Sequence, residues 1–478
     1  MAKQRLEEIR KIRLEKVKKL RSLGINPYPS KPPTKPEKIE KVLKAVGKSA
    51  NIAGRIWGIR EHGNCCFADI KDETEDIQLF LQKKNLKDKF KLLKLLDIGD
   101  FIWAKGKVIK TNAGEISLDV SDFELLTKSI RPLPSTWHGL KDVEERYRQR
   151  YIDLLLNDEL KDLFRKKAVF WDSMRKFLMD KGFLEVETPV LETTAGGADA
   201  NPFVTHHDAL DIDLYLRISM GELWQKRLMV AGFEKTFEIG RQFRNEGLSR
   251  EHLQDYTQME FYWAYADYED SMKLVEEMYK HVAKETFGKL KFKINGFDID
   301  LSKPWQRIDY TETILNHTGI DISKAKVNEI KAKIKEPLEK NATKGRLIDA
   351  LWKSVRRKIA GPAFLINPPV EVSPLAKRME KRPDFVERYQ IIMAGSEVGN
   401  GYSELNDPVD QAERFKKQQE MREKGDQEAQ MYDKDFVRAL EYGMPPVTGF
   451  GVSERLFSFL ADKPIRETVL FPLLRPKK

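Results

Sequence analysis

Apolar residues at Leu6, Ile9 and Ile12, then at Leu14, Val17, Leu20 and Leu23, recur at helical spacing among many Lys and Arg, and Gly24 and Pro27 close the run. The pattern predicts a basic amphipathic helix over 5–23. Such a helix either docks its apolar stripe on its own protein or turns its charges toward RNA phosphates. The periodicity then changes. Over 50–127, short runs rich in β-branched and aromatic residues (51–57, 65–70, 77–82, 101–108 and 116–120) alternate with Gly, Asn and Asp turns. The segment Ser129-Ile130-Arg131-Pro132-Leu133-Pro134-Ser135 has no periodicity and two prolines, the signature of a linker. Beyond it, 150–181 reads as helix, strands and helices of mixed length follow, and the charged stretch 411–434 reads as an exposed helix.

Five short strands suit a small β-barrel, and an OB-fold is the natural candidate, because its open face stacks single-stranded bases on aromatic side chains. The expected organisation is therefore a basic helical extension (1–49), an OB-fold barrel (50–128), a linker (129–140) and a larger α+β domain (141–478). No Rossmann glycine fingerprint, Walker A sequence or internal repeat is present.

A chain of 478 residues is long enough for two to four domains, and its 41% hydrophobic and 33% charged residues are those of a globular protein. No apolar run approaches the length of a bilayer span, and the charged start Met1-Ala2-Lys3-Gln4-Arg5 lacks the apolar stretch of a secretory signal, so a cytoplasmic location with no membrane contact is expected. Cys65 and Cys66, the only cysteines, are adjacent and supply neither a loop-closing disulfide nor a paired metal knuckle. The net charge of +10 attracts polyanions without proving such a partner.

The chemistry concentrates in three places. The run Phe237-Glu238-Ile239-Gly240-Arg241-Gln242-Phe243-Arg244-Asn245-Glu246 leads into a loop, and Tyr256-Thr257-Gln258-Met259-Glu260-Phe261-Tyr262-Trp263 leads out of it. Alternation along these two strands of a long hairpin puts Gln242 with Arg244, and Glu260 with Tyr262. In isolation this would be an ordinary surface hairpin with cross-strand ion pairs. Near the C-terminus, Gly449-Phe450-Gly451-Val452-Ser453-Glu454-Arg455-Leu456 is a glycine-rich strand entering a helix. Between them, Asn400, Tyr402 and Glu404 sit at i, i+2 and i+4 and would face the same way from a strand as a polar wall.

The hairpin with Arg244-Asn245-Glu246 resembles motif 2 of class II aminoacyl-tRNA synthetases. The glycine-rich strand resembles their motif 3, and the helix before Gly182 with Phe183-Leu184-Glu185-Val186-Glu187-Thr188-Pro189 resembles motif 1, which lies at the family's dimer interface. More narrowly, Trp137-His138-Gly139-Leu140-Lys141-Asp142, Arg146-Tyr147-Arg148-Gln149-Arg150-Tyr151, Pro202-Phe203-Val204-Thr205-His206-His207, Glu371-Val372-Ser373-Pro374-Leu375 and Glu397-Val398-Gly399-Asn400-Gly401-Tyr402-Ser403-Glu404-Leu405-Asn406-Asp407 look like segments of bacterial-type lysyl-tRNA synthetases, across nearly the whole chain.

The resemblance implies a catalytic domain built on an antiparallel sheet flanked by helices, acting as a homodimer on ATP, L-lysine and tRNA(Lys) with Mg²⁺. It implies that Arg244 holds the α-phosphate and the substrate carboxylate, a task for a planar fork of permanent charge. Glu246 would read the adenine amino group, Tyr256 stack near the base, His252 lie near the phosphates and Arg455 bind the γ-phosphate. Gly196, with Gly197, would shape a turn beside the α-amino group, although a plain loop is also compatible with those residues. Glu222, Glu260 and Tyr262 would line the amino-acid pocket with Asn400, Tyr402 and Glu404. A cavity so rich in acceptors and negative charge suits an ammonium and rejects an aspartate side chain. In the barrel, Arg60, Phe67 and Gln78 would hold, stack on and hydrogen-bond the anticodon. Taken alone, Phe67 could equally be barrel core and Arg60 a solvated charge.

Four departures from the family pattern stand out. Glu251 replaces an arginine in the motif 2 loop, with Arg250 one place early, and the motif 3 glycine alternation is about a residue short. Ser219-Met220-Gly221 adds a residue before Glu222, and Gln390 stands where the family has a metal-binding glutamate, leaving Glu397 as the other ligand. Three competing functions remain open to the sequence: a sibling that activates aspartate or asparagine, a non-catalytic nucleic-acid-binding protein on the same fold, and a paralogue that lysylates protein. Glu222 and Glu404 oppose the first, intact Arg244, Glu246 and Arg455 the second, and the barrel the third.

Overall fold

The computed structural model describes residues 2–134, 142–247, 249, 251–334, 343–426 and 428–477. It divides into two compact units, Met1–Val143 and Glu144–Lys478. Residues 135–141, which hold much of the expected linker and the Trp137-His138-Gly139-Leu140-Lys141 run, lie outside the described residues, as does Arg250.

In the first unit, strands β1 (Ser49–His62), β2 (Cys65–Lys71), β3 (Asp76–Gln82), β4 (Phe101–Lys110) and β5 (Ile116–Thr127) close a barrel in the order β1-β2-β3-β5-β4. This is the OB arrangement. Alternation drives it: Cys66, Ala68 and Ile70 of β2 enter a core with Ile52, Leu79, Val108 and Leu118, while Phe67 and Asp69 face out. The strand β1 runs further than the apolar pattern suggested. It pairs with β4 through Arg55 and with β2 from Arg55 to His62, across an irregularity between Ile56 and Gly58. Backbone pairing, not burial, carries its polar end.

The helix Ala2–Ser22 forms as its periodicity indicates, but the stripe is only partly apolar. Val17 and Leu20 are buried, whereas Ile12 and Leu23 are more than half exposed. Their place is taken by Arg13, whose guanidinium donates to the carbonyls of Ser129 (3.1 Å), Arg131 (3.1 Å) and Ile98 (3.0 Å), and by Lys16, paired with Asp97 at 2.8 Å. This face is docked on its own unit. Lys11, Lys18, Lys19 and Arg21 remain exposed on the other.

The second unit is built on eight strands: β6 (Leu184–Glu185), β7 (Lys235–Phe243), β8 (Asp255–Ala264), β9 (Gln306–Asp309), β10 (Ala363–Ile366), β11 (Arg388–Met393), β12 (Ser396–Ser403) and β13 (Val447–Ser453). Their order is β9-β10-β11-β12-β13-β8-β7-β6, antiparallel except for the two outermost pairs. Met259 and Phe261 of β8, Phe450 and Val452 of β13 and Ile391 of β11 point to one face, where helices Asp158–Asp180 and Tyr268–Phe287 cover them in the main core. The opposite face carries the alternate, polar residues of the same strands. With both units, the fold is α+β.

Two helical expectations change. The helix read over 150–181 is two, Arg150–Leu156 and Asp158–Asp180, because Asn157 is extended and its side chain accepts from the Leu160 amide at 3.2 Å, capping a new start. The stretch 411–434 is not one exposed helix. Helix Pro408–Glu423 buries Gln411, Arg414 and Phe415, and Arg414 pairs with Asp410 (2.6 Å) while donating to the carbonyl of Ala376 (2.7 Å). Among the described residues, no helix is long and apolar enough to cross a membrane.

Candidate active site and nucleic-acid face

The register of the central strands assembles the polar face. Gln242 lies opposite Tyr256, Glu238 opposite Glu260 and Thr236 opposite Tyr262; across the next pair, Gln258 faces Ser453, Glu260 faces Gly451 and Tyr262 faces Gly449. Gly451 and Gly449 in turn face Asn400 and Tyr402. A cavity of about 270 Å³ sits on this face, lined by Glu222, Glu260, Tyr262, Tyr402 and Glu404 at one end and by Arg244, Tyr256, Glu397 and Arg455 at the other. Asn400 is part of the same wall. A second cavity of about 310 Å³ shares Arg244, Arg388, Glu397 and Arg455 with it and adds His252, Gln390, Arg346 and Arg356.

At the acidic end Glu260 and Glu222 are each held by hydrogen-bond partners. Glu260 accepts from Tyr262 Oη (2.9 Å), the Met220 amide (3.0 Å) and Gln258 Nε2 (2.6 Å). Burial, and then the charge of Glu222, push its carboxyl up to about 7. Tyr402 Oη donates to Glu222 Oε1 at 2.5 Å. Burial holds the Tyr262 and Tyr402 hydroxyls well above the ordinary phenol range, so both stay neutral donors. The extra residue before Glu222 is absorbed by Gly221 at φ +68°, which starts helix Glu222–Val230 at the glutamate itself.

Arg244 lies just past the end of β7, its Nε donating to the Ile218 carbonyl (3.2 Å) and its guanidinium 5.8 Å from the Tyr256 ring centre. Burial works against its charge, but Tyr256, Glu246, Glu260 and Asp199 outweigh that and raise it further. Arg455 opens helix Arg455–Leu460 and donates to the backbone carbonyls of Glu251 (3.3 Å) and Glu397 (3.2 Å). The departing residue Glu251 accepts from Ser396 Oγ at 2.6 Å, tying the motif 2 loop to β12. His252 accepts or donates at 2.6 Å to Ser249 Oγ. Its enclosure, and then the charge of Arg455, lower its ring to about 4, so it is neutral near neutral pH. Glu246 lies in the loop between the strands and makes a backbone contact with Arg244.

Gly197, not Gly196, lines the cavity; the Gly196 carbonyl accepts from Ser219 Oγ at 3.2 Å. Gln390 Nε2 donates to Glu397 Oε2 at 2.9 Å, and the buried Gln390 Oε1 has no partner among the described residues. No cluster of three or more His, Cys, Asp or Glu suited to a metal ion occurs among those residues. The amide donor of Gln390, not its oxygen, now faces Glu397, and Arg356 stands 3.8 Å from the same carboxylate oxygen. Glu397 and, once its amide turns over, Gln390 would offer two oxygen ligands to a hard cation.

The sequence reading missed Gln258, Arg388, Asp199 and Lys226. Gln258 alternates with Glu260 and could have been included on that ground. Arg388, whose Nε donates to Asn400 Oδ1 at 2.8 Å, stands two places before Gln390 on β11. Nothing local marks the other two.

On the barrel, Arg60, Phe67 and Gln78 sit on the consecutive strands β1, β2 and β3, with Arg60 directly opposite Phe67. Phe67 is not core: it lies on the outer face, stacked on Phe80 with ring centres 4.9 Å apart. Arg60 forms a two-pronged pair with Asp69 (2.7 and 3.0 Å). Gln78 is mostly buried, its amide bonded to Glu115 (3.0 Å) and Ser117 (3.1 Å).

An antiparallel sheet with an arginine-bearing hairpin beside a glycine-rich strand, in a chain that also carries an OB barrel, defines a synthetase of class II. The family described as tRNA synthetases class II (D, K and N) matches residues 142–475, and the OB-fold nucleic acid binding domain matches 50–126. The chain belongs to that class II tRNA synthetase family. It is 47% identical to a protein of Carboxydothermus hydrogenoformans over 100% of both chains. It is 45% identical to one of Thermotoga maritima, over 99% of this chain and 97% of the relative. The figure is also 45% for one of Fervidobacterium nodosum, over 99% and 95%. All three relatives are named lysine–tRNA ligase.

Proposed function

We propose that this protein is a lysine–tRNA ligase, which activates L-lysine with ATP to lysyl-adenylate and pyrophosphate and then transfers lysine to the 3′ end of tRNA(Lys). The observation that carries the reading is the acidic end of the cavity, where Glu222, Glu260 and Glu404 converge with two neutral tyrosine hydroxyls. Lys226, Tyr262 and Tyr402 already engage some of these oxygens. An ammonium brings three donors and a positive charge to those left free, whereas an aspartate side chain brings like charge and an asparagine side chain brings two donors and no charge. Arg244, between this end and the nucleotide side, binds the substrate carboxylate and the α-phosphate and so brings nucleophile and electrophile together. Because it is raised in charge stability by its neighbours, it remains a cation throughout. Arg455 holds the outer phosphates, Tyr256 and Glu246 the adenine, and neutral His252 donates to a phosphate oxygen without competing as a base. Glu397 and Gln390 would hold Mg²⁺, which when bound neutralises phosphate charge as pyrophosphate leaves.

Residues 50–128 read the anticodon, with Phe67 and Phe80 offering a stacking platform beside Arg60, and 141–478 carry out the chemistry. The chain works in the cytoplasm as a homodimer. Supporting the dimer, Met179, Leu184, Leu191, Val204 and Leu210 are each about half exposed or more, on and just after the motif 1 segment. The deciding measurement is amino-acid-dependent ATP–pyrophosphate exchange with all twenty amino acids. Lysine should support strong exchange and ornithine, one methylene shorter, should be weaker by roughly 10- to 200-fold. Stronger exchange with aspartate or asparagine would overturn the assignment.

A further inference from the structure

We propose that Lys226 is a positioning residue for the amino-acid side chain: set behind the pocket wall, it holds one oxygen of Glu222 and one of Glu404 and so aims the other oxygens at the substrate ammonium. The inference rests on the lysine reading above. Lys226 lies one turn after Glu222 on helix Glu222–Val230 and is fully buried. Its Nζ is 2.6 Å from Glu222 Oε1 and 2.5 Å from Glu404 Oε2, and it sits 5.5 Å from the Tyr402 ring centre and 5.9 Å from that of Phe436. Glu222, Tyr402 and Glu404 line the cavity whereas Lys226 does not. A protein ammonium thus occupies the rear of the same carboxylates that a substrate ammonium meets from the front.

Charge makes the arrangement necessary. Glu222 from its own helix, Glu404 following β12 and Glu260 from β8 face the region, with the neutral Tyr262 and Tyr402. On the far side Arg227 is already paired with Asp433 at 3.0 Å and Asp435 at 3.4 Å. Lys226 is therefore the cation within ion-pair reach of Glu222 and Glu404 among the described residues. Burial holds the Glu404 carboxyl well above the ordinary carboxylate range, and Lys226 is the strongest influence pulling it back down. Without that ammonium, Glu404 and its neighbours would be pushed higher still and hold protons over a wider pH range, and a protonated carboxyl neither attracts an ammonium nor keeps its orientation. The rear ammonium also blocks deeper entry, so a substrate ammonium must stop at the front oxygens. This sets the side-chain length that fits.

The test uses the full-length enzyme in lysine-dependent ATP–pyrophosphate exchange, comparing wild type with Lys226→Met and Lys226→Gln, which lack the charge, and Lys226→Arg, which keeps it. Near pH 7 the neutral variants should raise the lysine KM by at least about 30-fold while the ATP KM stays within about threefold. The ratio of variant to wild-type lysine KM should shrink as pH rises from about 7 to about 9, because the carboxylates regain their charge, and the arginine variant should show no such trend. Lys226→Gln keeps two donors in the buried position and serves if the methionine variant cannot be purified. An unchanged lysine KM, or a loss that affects ATP and lysine alike and does not move with pH, overturns the proposal. Failure of the wild type itself to exchange with lysine would instead overturn the substrate reading.

Discussion

Gly449 faces Glu404 so closely that a β-carbon on the glycine would overlap Glu404 Oε1 and come within 2.7 Å of Tyr262 Cε1. The carboxylate cannot swing aside freely, since Lys226 holds its other oxygen at 2.5 Å. Gly449→Ala should therefore displace Glu404 while leaving the sheet paired. The expected result is a lysine KM raised by at least about tenfold, equivalent to roughly 1.4 kcal/mol, with the ATP KM nearly unchanged. Steady-state exchange kinetics check it, and an equal loss toward both substrates would refute it.

The Glu260 carboxyl, pushed up to about 7 by burial and Glu222, must be ionised to receive an ammonium. Lysine binding should accordingly tighten as pH rises from about 6 to about 8 and level off above, and should release protons below about 7. Calorimetric titration in two buffers of different ionisation enthalpy measures that release. A binding constant independent of pH over this range, with no proton exchange, would rule it out.

Glu192 is a buried carboxyl whose Oε1 accepts from Trp224 Nε1 at 2.9 Å; burial, outweighing that bond and the nearby Arg217, raises it to about 7. Its folded value exceeds its unfolded one, so its contribution to stability is fully present at low pH and is lost as pH rises through about 7. The loss is on the order of 3 kcal/mol at about 1.4 kcal/mol per unit. Glu192→Gln keeps the tryptophan bond without titrating. Thermal melts should show the variant above wild type near pH 8 and the gap closing near pH 5.

On the barrel, Phe67→Ala removes half of the stacked pair with Phe80 and none of the core. Stacking is worth ~1–3 kcal/mol per base, so kcat/KM for tRNA(Lys) charging should fall roughly 10- to 100-fold while lysine-dependent exchange is untouched. Unchanged charging at matched salt would show that this face does not read the anticodon.

Gln390→Glu would set a second carboxylate beside Glu397, at the place of an amide now 2.9 Å away. Two close carboxylates repel each other until a cation joins them. The variant should half-saturate at lower free Mg²⁺ in exchange, and its melting temperature should fall below wild type without Mg²⁺ and recover when Mg²⁺ and ATP are added. Overlapping Mg²⁺ curves, with activity abolished by Glu397→Gln, would remove Gln390 from the metal site.

The strands of the barrel, the hairpin and the wall of Asn400, Tyr402 and Glu404 were legible because their signals are local: alternation of period two, turn residues and motifs contained in single segments. The helix boundaries were less so. The break at Asn157 depends on one side chain choosing the Leu160 amide, and the exposed Ile12 gives way to Arg13 only because backbone carbonyls of the 98–131 region await it.

What the chain determined by itself is which residue types can do the chemistry and on which strand faces they fall, since a covalent backbone fixes alternation and spacing. What only the tertiary structure decided is how those faces meet. Glu404 and Lys226 are brought to 2.5 Å from distant segments, Gly449 is aligned with Tyr262 by strand register, and Phe67 is turned outward by the closing of the barrel. Those relationships depend on long-range packing and on the need of each buried charge for a partner, and no local pattern encodes which partner it will find.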